Sequence, residues 1–521
     1  MPEHHRKDST ADIKEVLTSV KRADSPGPGS DSHPAMDAEN GEKTRLASGS
    51  PVPNRALCPG MPQSDDDQKK PSIPDDSPVR PARFVHGSIM RHVVTMAGTG
   101  AIGLMAVFAV DLLNYGYISH LHDKTLTAAI AFATAVSYVQ VSVSIGMTIG
   151  LGACTGRLIG ARQHDEARRL ASAFLVVMVV IAAVLGLLTA TFAMPLLGLL
   201  GAQGEAQLHA ARFLRIVSPA LPLVCMGMAL SSLLRAVGDA KRSMRVTLTG
   251  AVVSACLDPI MIFGLHLGLE GAAISTVLAR LAIAASGFLN LRGHAMLEWP
   301  QRSAFGPSTR LIGGIAVPAI ATNLATPTGA LFVTHAMSRF GLNAVSGQAT
   351  IDRIVPVAFS LVFALTGSVG PIMAQNLGAR QIHRVQEALL AALKLTALCV
   401  GVTWLILAAA HNYILQLFEL QGVGVDIVRL FCCWLVLSYM FVGLLFVANT
   451  AFNNLGHPFY STGFNWGRAT LGTIPFVWIG SAYGPIGILV GQSLGVVLFG
   501  SLAVVTAFRV IRKLEPDIVK P

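Results

Sequence analysis

IGARQ, residues 159–163, recurs 218 residues later as LGARQ, residues 377–381. Gly238 in AVGDAK and Gly456 in NLGHPF are separated by the same 218 residues. Further along, Pro259 pairs with Pro475, Gly268 with Gly484 and Gly271 with Gly487, each at 216. The second copy has therefore lost two residues between Gly456 and Pro475. Self-similarity over this length means that one structural unit occurs twice.

Hydropathy says what the unit is. Of 521 residues, 52% are hydrophobic and only 13% charged, against about 25% charged in a soluble domain. The apolar runs have helix length, near the 20 or so residues that a bilayer core requires, and not the length of barrel strands. Twelve spans are expected, near 92–118, 125–150, 169–195, 209–233, 244–264, 268–294, 310–337, 345–372, 387–412, 424–450, 461–481 and 485–510. Each half holds six. An even number gives both halves the same topology, related by an axis along the membrane normal, with a binding site between them. The expected fold is an all-α polytopic membrane protein of two pseudo-symmetric six-helix bundles. The first lobe covers residues 86–300 and the second 301–513, followed by a cytoplasmic C-terminal tail, 514–521.

Residues 1–85 are rich in Ser, Pro, Asp, Lys and His and lack apolar periodicity. A disordered cytoplasmic tail is expected, and the missing apolar core rules out a signal peptide. The net charge of +10 does not point to nucleic acid. Its cations sit in alternate connections: Arg157, Arg162, Arg168 and Arg169; Arg235, Lys241, Arg242 and Arg245; Arg292, Arg302 and Arg310; Arg380 and Arg384; Arg509, Arg512 and Lys513. That alternation puts both termini in the cytoplasm. The seven cysteines are odd in number, form no CxxC and lie mostly in apolar runs, so they read as small packing residues.

Two motifs imitate chemistry. GTGAIG, 98–103, fits a dinucleotide fingerprint, but it lies inside an apolar span with no βαβ unit around it. GQSLG, 491–495, fits a nucleophile elbow but is likewise inside a span. Small residues that let helices approach explain both. No zinc-protease or Walker motif occurs, so no enzyme activity and no resident cofactor is expected.

Two intramembrane acids remain, Asp111 in the first span and Asp258 in the fifth. An ionised Asp at the centre of a membrane helix costs roughly 2.5–3.5 kcal/mol on insertion scales. Their repeat counterparts are Gly329 and Ile474, so the acids belong to the first half alone. Ser254 lies four residues before Asp258 on the same helix face. Pro259 leaves the Ala255 carbonyl without its helical donor. Thr276 on the next span adds a hydroxyl. Carboxylate, carbonyl and hydroxyl oxygens together suit a hard cation, and the same cluster can hold a proton. The second half has a different polar set, with Asn323, Gln348, Asp352 and Asn449 as candidates for a substrate cavity, beside Arg353 and Arg468.

GRLIGARQHDEARR (156–169), LGLLGAQGEA (197–206), LLRAVGDAKRSM (233–244) and LDPIMIFGLHLGLEGAAIST (257–276) resemble the multidrug and toxin extrusion (MATE) family, and the acids resemble its DinF-like branch. The resemblance covers about 90–513. It implies a monomeric antiporter of the bacterial inner membrane whose two bundles form a V. An inward proton or sodium ion would be exchanged for an outgoing drug-like molecule, with a cationic amphiphile favoured. It also implies that Asp111, Asp258 and Thr276 form the cation site of the first lobe. Ser254 departs from the family's usual Asn and favours a proton over sodium. The rival is a lipid-linked oligosaccharide flippase or polysaccharide exporter of the same superfamily, which usually has about fourteen spans.

Overall fold

A computed structural model describes residues 82–119 and 124–519. The expected tail therefore lies almost wholly outside the described residues, as does Cys58. All regular structure among the described residues is helical. In the first half these helices are α1 (Ile89–Ser119), α2 (Lys124–Gly160), α3 (His164–Thr191), α4 (Ala193–Leu199), α5 (Gly204–Val217), α6 (Leu221–Ala236), α7 (Ala240–Pro259) and α8 (Gly268–Arg292). The second half has α9 (Phe305–Ser338), α10 (Leu342–Ala358), α11 (Ser360–Gly378), α12 (Ile382–Leu417), α13 (Val423–Cys433), α14 (Tyr439–Asn454), α15 (Pro458–Ala469), α16 (Ile474–Ser481) and α17 (Gly484–Val519).

Ten helical stretches among the described residues are long and apolar enough to cross a bilayer, and α10 with α11, bent by 47°, makes an eleventh. The span expected at 461–481 is broken instead into α15 and α16, each shorter than a bilayer. Pro475 starts α16, whereas its counterpart Pro259 closes α7, so the halves diverge where the two residues were lost. Outward faces carry large side chains such as Leu187, Leu398 and Leu405, each more than 60% exposed. In water this would be an aggregating surface; in lipid it is solvated.

The repeat seen in sequence is also a repeat of conformation. Arg162 and Arg380 both adopt a left-handed backbone, with φ of 62° and 57°, and Gly238 and Gly456 both sit at φ of 86–87°. Gln163 N donates to Leu158 O, and Gln381 N to Asn376 O, closing the same turn twice. Contacts between the halves repeat too. Gly100 of α1 packs on Ala364 of α11, while Gly146 of α2, the counterpart of Ala364, packs on Ile320 of α9. GTGAIG is thus a packing surface: Gly100 meets Ala364 and Ser368, and Gly103 meets Thr247. In GQSLG, Gly491 lies against Phe476 and Gly495 against Gly472.

Two expectations need correction. Residues 83–85 form a 3₁₀ turn with Phe84 buried, so ordered structure begins before residue 86. The apolar Phe84 ring finds a core between helices, which composition alone does not reveal. Arg157 and Arg235, read as loop cations, lie inside α2 and α6. Arg157 is only 6% exposed.

Candidate functional site

The first-half acids occupy a break in helical geometry. Because Pro259 has no N–H, α7 gives way there to a five-residue π-helical turn, Ile260–Gly264. Such turns gather at functional sites because they free backbone groups and re-aim side chains. Asp258 is 1% exposed. Its Oδ2 accepts a 2.8 Å hydrogen bond from Ser254 Oγ, as the four-residue spacing requires. Its Oδ1 has no partner within the protein. Asp111, on α1, is open rather than buried and lies within electrostatic reach of Asp258.

Thr276 is less directly engaged. Its Oγ1 donates to Ala272 O on its own helix at 2.8 Å, which leaves only its lone pairs for a cation. Sequence reasoning missed two further oxygens. Asn114 Oδ1 and Ser275 Oγ are buried without a partner. Asn114 lies three residues after Asp111, on one face of α1, and that spacing was the available signal. Ser275 precedes Thr276 and had none. An unsatisfied buried oxygen costs about 1–3 kcal/mol, and α1, α7 and α8 each hold one, at Asn114, Asp258 and Ser275. Among the described residues no cluster of three or more His, Cys, Asp or Glu side chains could hold a metal ion; the donors here are mostly amide and hydroxyl oxygens.

The second-half residues divide. Gln348 Nε2 donates to Asp352 Oδ1 at 3.0 Å along α10, leaving Gln348 Oε1 unpartnered. Tyr439 of α14 lies within electrostatic reach of both Asp352 and Arg468, and Tyr138 of α2 within reach of Arg468. Tyr439 is fixed by a stack on Phe359, centroids 4.7 Å apart, and an edge contact with Phe431. Arg468 Nε is buried and unpaired. Asn323 Nδ2 turns back to Ala319 O on α9, and Asn449 Oδ1 is buried without a partner. Where the first half has Asp111, the second has Gly329 against Ala469 of α15, a helix contact in place of a charge.

At the end carrying the basic connections the halves are locked together, again symmetrically. Arg157 Nε donates to Asn454 O at 3.0 Å and its Nη2 to Asn453 O at 3.3 Å. Its counterpart, 218 residues on, is Gln375, whose Nε2 donates to Ala236 O at 2.6 Å; Ala236 is in turn the counterpart of Asn454. Gly160 and Gly378 allow this crossing: a Cβ on Gly160 would collide with Gln375 O, and one on Gly378 with Arg157 O. These residues pack α2 against α11 with the basic end closed.

A doubled six-span helical unit with acids embedded in one copy is the architecture of a secondary transporter. The sequence profile of the MatE family matches residues 101–260 and again 318–479, once in each half, and the chain belongs to that family. It is similar to an FAD transporter of Shewanella oneidensis, 29% identical, over 75% of this chain and 88% of that one. It is also similar to the multidrug export protein MepA of Staphylococcus haemolyticus, 24% identical, over 64% of this chain and 75% of that one. Among solved structures, the Vibrio cholerae MATE transporter VcmN in the bent form aligns with a TM-score of 0.77 at 23% identity, over 82% of this chain and 97% of that one. An outward-facing multidrug resistance MATE transporter aligns with a TM-score of 0.77 at 18% identity, over 84% and 99%. The fold is that of a multi-pass MATE transporter.

Proposed function

We propose that this chain is a proton-coupled antiporter of the DinF-like branch that exports drug-like cationic amphiphiles across the bacterial inner membrane. The observation that carries the reading is Asp258, buried with one oxygen unpartnered and within electrostatic reach of a second acid, Asp111. A buried carboxylate with an open second acid within electrostatic reach favours uptake of a cation at the pair. Uptake and release of that cation, as the site faces each side in turn, drives export. The energetics suffice: one charge crossing 100 mV is worth about 2.3 kcal/mol. At about 1.4 kcal/mol per tenfold, that sustains roughly a fortyfold substrate gradient.

Overexpression in a pump-deficient host is expected to raise resistance to cationic dyes. Protection against none of them, with rescue of a lipid-flippase defect, would replace this reading by the flippase one. A second reading takes the substrate as an anionic aromatic such as a flavin nucleotide. The similarity to an FAD transporter and the buried Arg468, its Nε unpartnered and Tyr138 and Tyr439 within electrostatic reach, favour it. Loading vesicles with FAD and with a cationic dye in parallel separates the two.

Two smaller effects are expected. Reporter fusions at both termini and within 292–310 report the cytoplasm; a periplasmic signal from 292–310 would break the topology. Ser254→Ala removes the only hydroxyl bonded to Asp258 among the described residues. With a proton as the coupling ion, export falls by less than about tenfold, the worth of a single hydrogen bond of about 1 kcal/mol. A sodium site losing an oxygen ligand would lose far more.

A further inference from the structure

We propose that a cavity at the basic end, between the segment before α1 and the α6–α7 turn, binds a phosphate-bearing ligand and thereby holds that end closed. The cavity measures about 580 Å³, within the usual range for small-molecule sites of ~300–1,000 Å³. Three cations line it: Arg83, Arg91 in the first turn of α1, and Lys241 in the first turn of α7. Among the described residues Arg83 bonds from Nη1 to Gly238 O at 3.0 Å. The only acid in the lining, Asp239, is already committed to the backbone N–H of Arg242 and to His294 Nε2 at 3.2 Å. His92 is engaged with His86 O.

The placement of one of these cations is unfavourable in isolation. A Lys or Arg in the first turn stands at the positive end of the helix dipole, where an acid is preferred. Arg91 does so in the first turn of α1, which holds no acid, whereas the start of α7 is already capped by Asp239; Arg91 and Lys241 both line one cavity. A phosphate placed there would relieve the conflict on α1 and accept hydrogen bonds from the cations. Beside Arg91, Met90 and Val94 are exposed, an apolar flank along which acyl chains can lie, so an anionic phospholipid headgroup and a free phosphate ester share the required chemistry.

The site's wall joins the two halves. Phe84 N donates to Gln375 Oε1 at 2.9 Å, and Arg384 Nη2 donates to Phe84 O at 3.0 Å. Arg83 binds Gly238 of the first half. A ligand that fixes Arg83 and Lys241 fixes this clamp as well.

The test uses the purified full chain, titrated in phosphatidylcholine nanodiscs with phosphatidylglycerol and, separately, with glycerol 1-phosphate, reading the melting temperature and the lipid retained in native mass spectrometry. Phosphatidylglycerol is expected to raise the melting temperature saturably and phosphatidylcholine alone not to. Arg91→Gln with Lys241→Gln is expected to weaken that response about thirtyfold, with melting in phosphatidylcholine unchanged. A response to glycerol 1-phosphate with the same dependence on both residues would establish the site and assign it to a soluble ester. No saturable response to either probe, or one that survives the double change, would overturn the proposal. If the double variant does not fold, Lys241→Gln, at an exposed position, carries the same comparison with about a fivefold loss expected.

Discussion

Asp258→Asn is expected to reduce active export to the rate of empty vesicles while leaving insertion and melting essentially unchanged. The asparagine has the same shape, and its amide oxygen can still accept the hydrogen bond that Ser254 Oγ gives to Oδ2. The change also removes a buried charge whose second oxygen is unpartnered, so folding loses nothing that the native contacts supply. What disappears is the capacity to bind and release a cation. Asp111→Asn should behave alike, because the two acids act on one another. Export is measured as dye extrusion from everted vesicles, with thermal melting as the folding control. Undiminished export by either variant would remove that acid from the coupling site.

Gly160→Val and Gly378→Val are expected to cause the largest losses of stability at any glycine pair in the repeat. Each new side chain would collide with a backbone carbonyl of the opposing half, Gln375 O or Arg157 O. A carbonyl inside a helix cannot swing aside as a flexible side chain can. Overpacking costs about 1–3 kcal/mol, and here it also displaces the hydrogen bonds of Arg157 and Gln375 to the facing helix ends. A lower melting temperature is expected, with longer distances between spin labels placed on the two halves at the basic end. Gly401→Ala on α12 is the control. Nothing lies within reach of a Cβ there, so that change should be neutral or slightly stabilising through helix propensity. Unchanged label distances in both valine variants would mean that the glycine crossing does not hold that end shut.

Much of this was legible in sequence because periodicity and repetition are local in the chain. The 218-residue offset located both copies of the IGARQ turn, and hydropathy placed the spans. Ser254 and Asp258 were paired by helical spacing and are bonded. What the sequence hid depends on contacts between distant segments. The role of Arg157 was masked because a cation at a span end reads as a loop residue until its partner, 297 residues away, is known. Gln375 is its repeat counterpart, but Arg and Gln share no obvious pattern; only their common geometry shows the equivalence. Phe84 sat at the end of a polar tail and gave no periodic signal. Asn323, a candidate cavity residue, gives its Nδ2 to Ala319 O of its own helix, a local bond always open to a polar side chain in a membrane helix.

The central claim is that cation uptake at Asp111 and Asp258 drives export. Its most direct test is transport in proteoliposomes with an imposed pH gradient, sodium absent, following a cationic dye against its concentration gradient. The expected result is uphill dye movement that tracks the size of the pH gradient, collapses with a protonophore and is absent in Asp258→Asn. Uphill movement driven instead by a sodium gradient at clamped pH, and lost in Ser254→Ala, would contradict proton coupling; uphill movement by Asp258→Asn under the pH gradient would contradict the site itself.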